Sequence, residues 1–109
     1  PVPVPYARTL DGVAIYYEVH GQGHPLLLLG GQANTHHWWD LVRTDFDQGF
    51  TTITLDYRGV GVSDKPATAT YSPRGFASDA ICVLDQLGLD RVHVYATSLH
   101  FWKLAIKLL

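Results

Sequence analysis

Thr51-Thr52-Ile53-Thr54-Leu55-Asp56-Tyr57-Arg58-Gly59-Val60-Gly61-Val62-Ser63-Asp64 reads as a strand that runs into a glycine-rich turn. The β-branched run carries the strand, and Gly59 and Gly61 punctuate its end. Further on, Val92-His93-Val94-Tyr95-Ala96-Thr97-Ser98 reads as a second strand, delivering a serine to the start of a helix. A nucleophile is presented in that way at the top of a parallel sheet.

The segments around these two fit the same plan. Leu26-Leu27-Leu28-Leu29 is apolar on both faces, as a strand buried in a parallel sheet should be, and Gly30-Gly31 ends it. Asn34 or Thr35 can cap a helix carrying Trp38, Trp39, Leu41, Val42 and Phe46 before the Phe50 to Leu55 strand begins. Upstream, Val13 to Val19 is rich in β-formers and is followed by a Gly21-Gln22-Gly23 turn. Asp11-Gly12 is a hairpin turn, so Arg8 to Leu10 is the expected partner strand. Downstream, Ser72-Pro73 is an N-cap with proline at the first helical position. Phe76, Ala77, Ala80, Ile81, Val83, Leu84 and Leu87 then recur at helical spacing, and Gly88 supplies the stop. Arg91 to Tyr95 is the last strand, and Ser98 onward reads as a helix. The alternation predicts an α/β domain: a mostly parallel sheet of about five strands, an antiparallel hairpin at its front edge and helices on both faces.

Composition narrows the classes. The 109 residues make one domain at most, and 47% hydrophobic side chains are enough for a core. Eight basic against ten acidic residues give a net charge of -2, no footprint for nucleic acid or an anionic membrane surface. Cys82, the single cysteine, cannot form an internal disulfide, which suits a reducing, cytoplasmic setting. Its place in a helical pattern suits a small buried apolar residue. Pro1-Val2-Pro3-Val4-Pro5 resists helix and lacks the apolar run of a signal peptide. The run Leu26 to Leu29 is too short to span a bilayer. With no methionine, the expectation is that the initiator was removed or that the chain was cut from something longer.

Gly30-Gly31-Gln32 after a buried strand, Asp56-Tyr57-Arg58-Gly59-Val60-Gly61-Val62-Ser63, and the strand into Ala96-Thr97-Ser98 together resemble the N-terminal half of the α/β-hydrolase fold. The resemblance covers nearly all of the chain up to Leu99. Within that family the nearest look is to small bacterial esterase, lactonase or peroxidase-like hydrolases. It implies one partial domain over residues 1–109, with a small-molecule acyl substrate and neither cofactor nor metal. Ser98 would be the nucleophile. The backbone N–H groups of Leu99 and Gln32 would form the oxyanion hole, each worth about 3 kcal/mol of barrier.

The chain also departs from the family pattern. The elbow should read Gly-x-Ser-x-Gly but reads Ala96-Thr97-Ser98-Leu99-His100, which puts a bulky imidazole where a helix must pass close to a strand. The family order is Ser, then Asp or Glu, then His. After Ser98 there is no acidic residue, and the only histidine is His100. Two positions along a helix point about 200° apart, so His100 is poorly placed as a base for Ser98. The expectation is therefore a hydrolase half that is inactive alone and completed by an acid and a histidine from elsewhere. The alternative is a non-catalytic remnant or interaction module. Its surfaces would be the last strand, where Val92, Val94 and Tyr95 line an exposed, self-associating edge, and the apolar tail. The tail from Leu99 to Leu109 carries only His100, Lys103 and Lys107 as polar residues. It fits a core helix under the sheet, a docking surface, or a segment foreign to the fold.

Other motifs carry less. Gly59-Val60-Gly61 lacks the third glycine of a dinucleotide turn, since Asp64 stands there and would repel pyrophosphate. His36 and His37 diverge by about 100° on a helix and cannot chelate together, while His36 with Asp40 gives only two ligands. Trp38 and Trp39 are expected to anchor the first helix to the sheet. Asp56 and Arg58 are expected to be buried, hydrogen-bonded turn residues, and Asp79 and Asp85 to be solvated.

Overall fold

A computed structural model describes residues 5–31, 34–67 and 71–97. In chain order the elements are β1 (Tyr6–Arg8), β2 (Ala14–Gly21), β3 (His24–Leu29), a 3-10 turn over His36–Trp39, α1 (Asp40–Asp47), β4 (Phe50–Leu55), α2 (Pro73–Gln86) and β5 (His93–Ala96). The five strands form a sheet in the order β1-β2-β4-β3-β5. β3 lies between β4 and β5 and is parallel to both, while β2 is antiparallel to β1 and to β4. The expected α/β class, with a front hairpin and flanking helices, is the architecture observed.

β3 explains the uninterrupted leucines. Leu27 and Leu29 join Ile53, Leu55, Phe76, Ala80, Val83 and Leu84 in the core on the α2 side. Leu26 and Leu28 meet Trp39, Phe46 and Phe50 on the other side. A strand paired on both edges and covered on both faces has no position that favours a polar side chain. Burying each leucine contributes about 1.5–3 kcal/mol relative to exposure.

The helix starts follow local chemistry. Ser72 caps α2, its Oγ accepting from the Gly75 N–H at 3.1 Å, and Thr35 caps the 36–39 turn by accepting from the His37 N–H at 3.2 Å.

Four expectations change. The first strand is Tyr6–Arg8, because Thr9 turns instead: Gly12 N–H donates to the Thr9 carbonyl at 3.0 Å, and Val13 N–H to its hydroxyl at 2.9 Å. The first helix divides into a 3-10 turn and α1, which fully buries none of its residues; of the two tryptophans only Trp39 is buried, while Trp38 is 55% and Leu41 93% exposed. Asp79 is not a solvated residue: it is 0% exposed and paired with Arg58. The last strand does stand at the end of the sheet, but Val92 is buried and Val94 half-buried, so of the three residues expected along that edge only Tyr95 has an exposed side chain.

Candidate active site

Three parallel strands end on the same side of the sheet. From β3 the chain passes to β4 on one side, and α2 then carries it back past β3 to β5 on the other. The strand order reverses at β3, and the carboxyl ends of strands at such a reversal are the place where open α/β sheets bind ligands. Leu29 pairs with Ala96 in register, and Thr97 N–H donates to the Leu29 carbonyl at 3.0 Å. Ser98, Leu99 and Gln32 lie outside the described residues, as does His100; Thr97 and Gly31 are the described neighbours that lead into them.

The loop after β3 is tight. A Cβ on Gly30 would stand 3.3 Å from both Asn34 Cβ and Trp38 Cδ1, and one on Gly31 would stand 3.3 Å from Asn34 Nδ2. Asn34 N–H closes a turn onto the Gly31 carbonyl at 3.0 Å. A side chain at either position would have to push Asn34 or Trp38 aside by a few tenths of an ångström.

Asp56, fully buried just beyond β4, ties this loop to the glycine-rich turn. Its Oδ1 accepts from the His36 backbone N–H at 2.6 Å and lies 2.8 Å from His36 Nδ1. Its Oδ2 accepts from Val62 N–H at 2.9 Å. Gly61 has φ +55°, and a Cβ there would run into the Asp56 carboxylate, so both conformation and space require glycine. The Ser63 hydroxyl donates to the Asp56 carbonyl and accepts from Tyr16 N–H at 2.8 Å, fastening the same turn to β2.

His36, only 6% exposed, places Nε2 3.2 Å from Glu18 Oε2. Tyr16 donates its hydroxyl to the same oxygen at 2.6 Å, and His20 Nε2 lies 2.9 Å from Glu18 Oε1. The Glu18 carboxylate, as acceptor, pushes the Tyr16 hydroxyl up to about 12. Burial raises the Glu18 carboxyl, but the Tyr16 and His20 contacts outweigh it and hold it below its usual range. The His37 ring lies against that of His36, centroids 4.1 Å apart, so the two histidines do not diverge as expected; the His37 Nδ1 reaches Asp40 at 2.8 Å, and that contact raises it. The carboxylate one turn along thus pairs with His37, and His36 goes inward. The sequence reading missed the link between Glu18 and His36. A signal was present: Tyr16, Glu18 and His20 alternate along one strand, a polar stripe on a face that elsewhere packs a helix.

A second charged network lies on the α2 side. Arg58 N–H donates to Asp79 Oδ2 at 2.9 Å, its Nε to Oδ1 at 3.0 Å and its Nη2 to Oδ1 at 2.7 Å. Its Nη1 reaches Asp11 Oδ2 at 2.8 Å. Asp79 raises the guanidinium further, while the Arg58 contact lowers Asp11 to about 2. Burial pushes the Asp79 carboxyl up, and the guanidinium opposes that shift. Asp56 and Arg58 are thus the buried, hydrogen-bonded turn residues that were expected. A cleft of 660 Å³ beside this network is lined by Arg8, Thr9, Arg74, Ser78 and Cys82, away from the β3 and β5 ends. Among the described residues no group of three His, Cys, Asp or Glu side chains could hold a metal ion, and no helix is long and apolar enough to cross a membrane.

A family model described as alpha/beta hydrolase fold matches residues 24–99. The chain is 34% identical over 93 residues to a soluble epoxide hydrolase of Corynebacterium sp. (strain C12), covering 85% of this chain and 31% of that protein. It is similar to the solved structure of Est816, described as an N-acyl homoserine lactone degrading enzyme, with 39% identity and a TM-score of 0.76 over 83% of this chain and 34% of that one. An esterase from Exiguobacterium antarcticum matches with 34% identity and a TM-score of 0.75, over 82% and 33% of the two chains. The chain thus spans about a third of the length of these relatives.

Proposed function

Because the chain belongs to the α/β-hydrolase fold family, we propose that it is the nucleophile-bearing part of a serine hydrolase acting on ester or related acyl bonds of small molecules. The observation that carries this reading is the register of β3 against β5. Leu29 stands beside Ala96 and Thr97 is bonded back to Leu29, so the strand that leads in sequence to Ser98 ends next to the strand that leads to Gly30-Gly31. The Ser98 hydroxyl would attack the acyl carbon. The Leu99 and Gln32 N–H groups would receive the developing oxyanion, at about 3 kcal/mol for each donor. A general base must take the Ser98 proton, and a carboxylate must orient that base. The sequence offers no acidic residue after Ser98 and only His100. Turnover by this route draws on an acid and a histidine outside these residues. The similarity to an esterase and to a lactone-degrading enzyme favours acyl chemistry. The single cysteine, Cys82, has no partner in this sequence for an internal disulfide, which suits a reducing compartment such as the cytoplasm.

A second reading rests on β5. Among the described residues it pairs with β3 only, and Tyr95 on it is 50% exposed, so the strand could serve as a self-association or partner edge. A fluorophosphonate probe on the full-length protein as its source makes it separates the two. Labelling that disappears in Ser98→Ala supports the hydrolase; a folded but unlabelled protein leaves the interaction module.

A further inference from the structure

We propose that His36 is a positioning residue, which fixes the loop after β3 through its Nδ1 contact with Asp56. The inference rests on the hydrolase reading for its catalytic consequence, though not for its geometry. The loop from Gly30 to Thr35 is anchored at its start by β3, a buried and doubly paired strand. Its far end is set where the 36–39 turn begins, and there one carboxylate oxygen, Asp56 Oδ1, takes both the His36 backbone N–H and the ring contact at Nδ1. The other oxygen holds Val62 N–H. A single buried carboxylate thus fastens the loop expected to supply an oxyanion donor to the turn that follows β4. On the other side of the ring Nε2 lies 3.2 Å from Glu18 Oε2, at a partly exposed carboxylate that Tyr16 and His20 also contact, so the two ring nitrogens meet separate partners.

Fully satisfied buried polar groups of this kind specify one arrangement, because every alternative leaves a donor or acceptor unpaired away from water. His36 is remote in sequence from the nucleophile and need not touch substrate. It would act by holding backbone groups where charge develops, and misplacing such groups by about 1 Å costs on the order of 100-fold in rate.

The two ring nitrogens can be tested separately. An asparagine amide nitrogen occupies roughly the position of imidazole Nδ1, and a glutamine amide nitrogen that of Nε2. His36→Asn therefore keeps the donor toward Asp56 and loses Glu18, whereas His36→Gln keeps Glu18 and loses Asp56. In the full-length chain as its source makes it, we expect His36→Asn to stay within about threefold of the parent in kcat. His36→Gln should lose about 100-fold in kcat with KM unchanged. Hydrogen exchange at Asn34 N–H, which closes the loop turn onto Gly31, should accelerate about tenfold or more in His36→Gln only. Glu18→Gln, at a partly exposed site, should leave both readouts near the parent. Equal behaviour of the two His36 variants overturns the proposal. So does faster exchange without loss of kcat, or a Glu18→Gln variant as loose as His36→Gln. If the parent shows no Ser98 labelling, the hydrolase reading fails, while the exchange comparison still decides whether His36 sets the loop.

Discussion

Asp79 and Asp56 are both fully buried carboxylates near the end of β4, yet they hold different things. Asp79, on the α2 side, takes a guanidinium through Nε and Nη2 together with the Arg58 backbone N–H. Asp56, on the side of the 36–39 turn, takes two backbone N–H groups and one imidazole nitrogen. The first network neutralises a permanent charge and joins helix, turn and hairpin into one body. The second joins two loops beside the β3 and β5 ends, through a ring that offers one separable contact on each side. A fold can thus use one network for cohesion and a neighbouring one for aim, and their donors tell them apart.

The largest expected effect strikes the cohesive side. Asp79→Ala leaves Arg58, 2% exposed, without its main partner, and removing one member of a buried pair costs about 3–5 kcal/mol. Urea unfolding should show that loss. Glu18→Ala, at the half-exposed end of the other network, should cost about 1 kcal/mol. Equal losses from the two would erase the distinction drawn above. Next comes Gly61→Ala, which forces a side chain into positive φ and against Asp56. We expect about 1–3 kcal/mol from the strained backbone, read in the same unfolding curves. Smaller still is the acid response of the hairpin latch. Asp11 is lowered from 3.8 to about 2 by Arg58, so its contribution is complete above 3.8 and is lost as pH falls through about 2. Over that interval the unfolding midpoint should fall with pH in the parent and fall less in Asp11→Asn. A parent and variant with parallel profiles would detach Asp11 from the cohesive network.

Much of the fold was legible because its determinants are local. Ser72-Pro73, the apolar spacing from Phe76 to Leu84 and the run Leu26 to Leu29 each state their element within a few residues. The glycine-rich turn was legible for a similar reason, since Gly61 answers to a carboxylate five residues before it. Asp79 was misread because an acidic residue on an amphipathic helix looks solvated until its partner is known, and Arg58 is supplied by a different element. Trp38 was misread because adjacent positions on a helical turn diverge by about 100° or more, so only one of two neighbouring indoles faces the sheet. For the site, Asp56 was legible as a buried turn residue, whereas His36 and Glu18 were not. Their contact depends on β2 and β4 pairing antiparallel, which sets Glu18 opposite Thr54 and cannot be read from either strand alone.

The position of β3 also has a consequence in time. Its leucines pair on one edge with β4, where Leu26 meets Thr52, and on the other with β5, where Leu26 meets His93. A ribosome adds about 5–20 residues each second, so the second edge waits for seconds after the first is closed. Parallel pairing across so long a connection is also slow to form, because loop entropy is lost before any contact offsets it. Throughout that wait the most apolar strand of the chain presents an open row of backbone donors and acceptors. The element that makes the finished sheet cohesive is therefore the one most exposed to wrong partners while the chain is being made, and the pace of synthesis between residues 56 and 92 sets the length of that exposure.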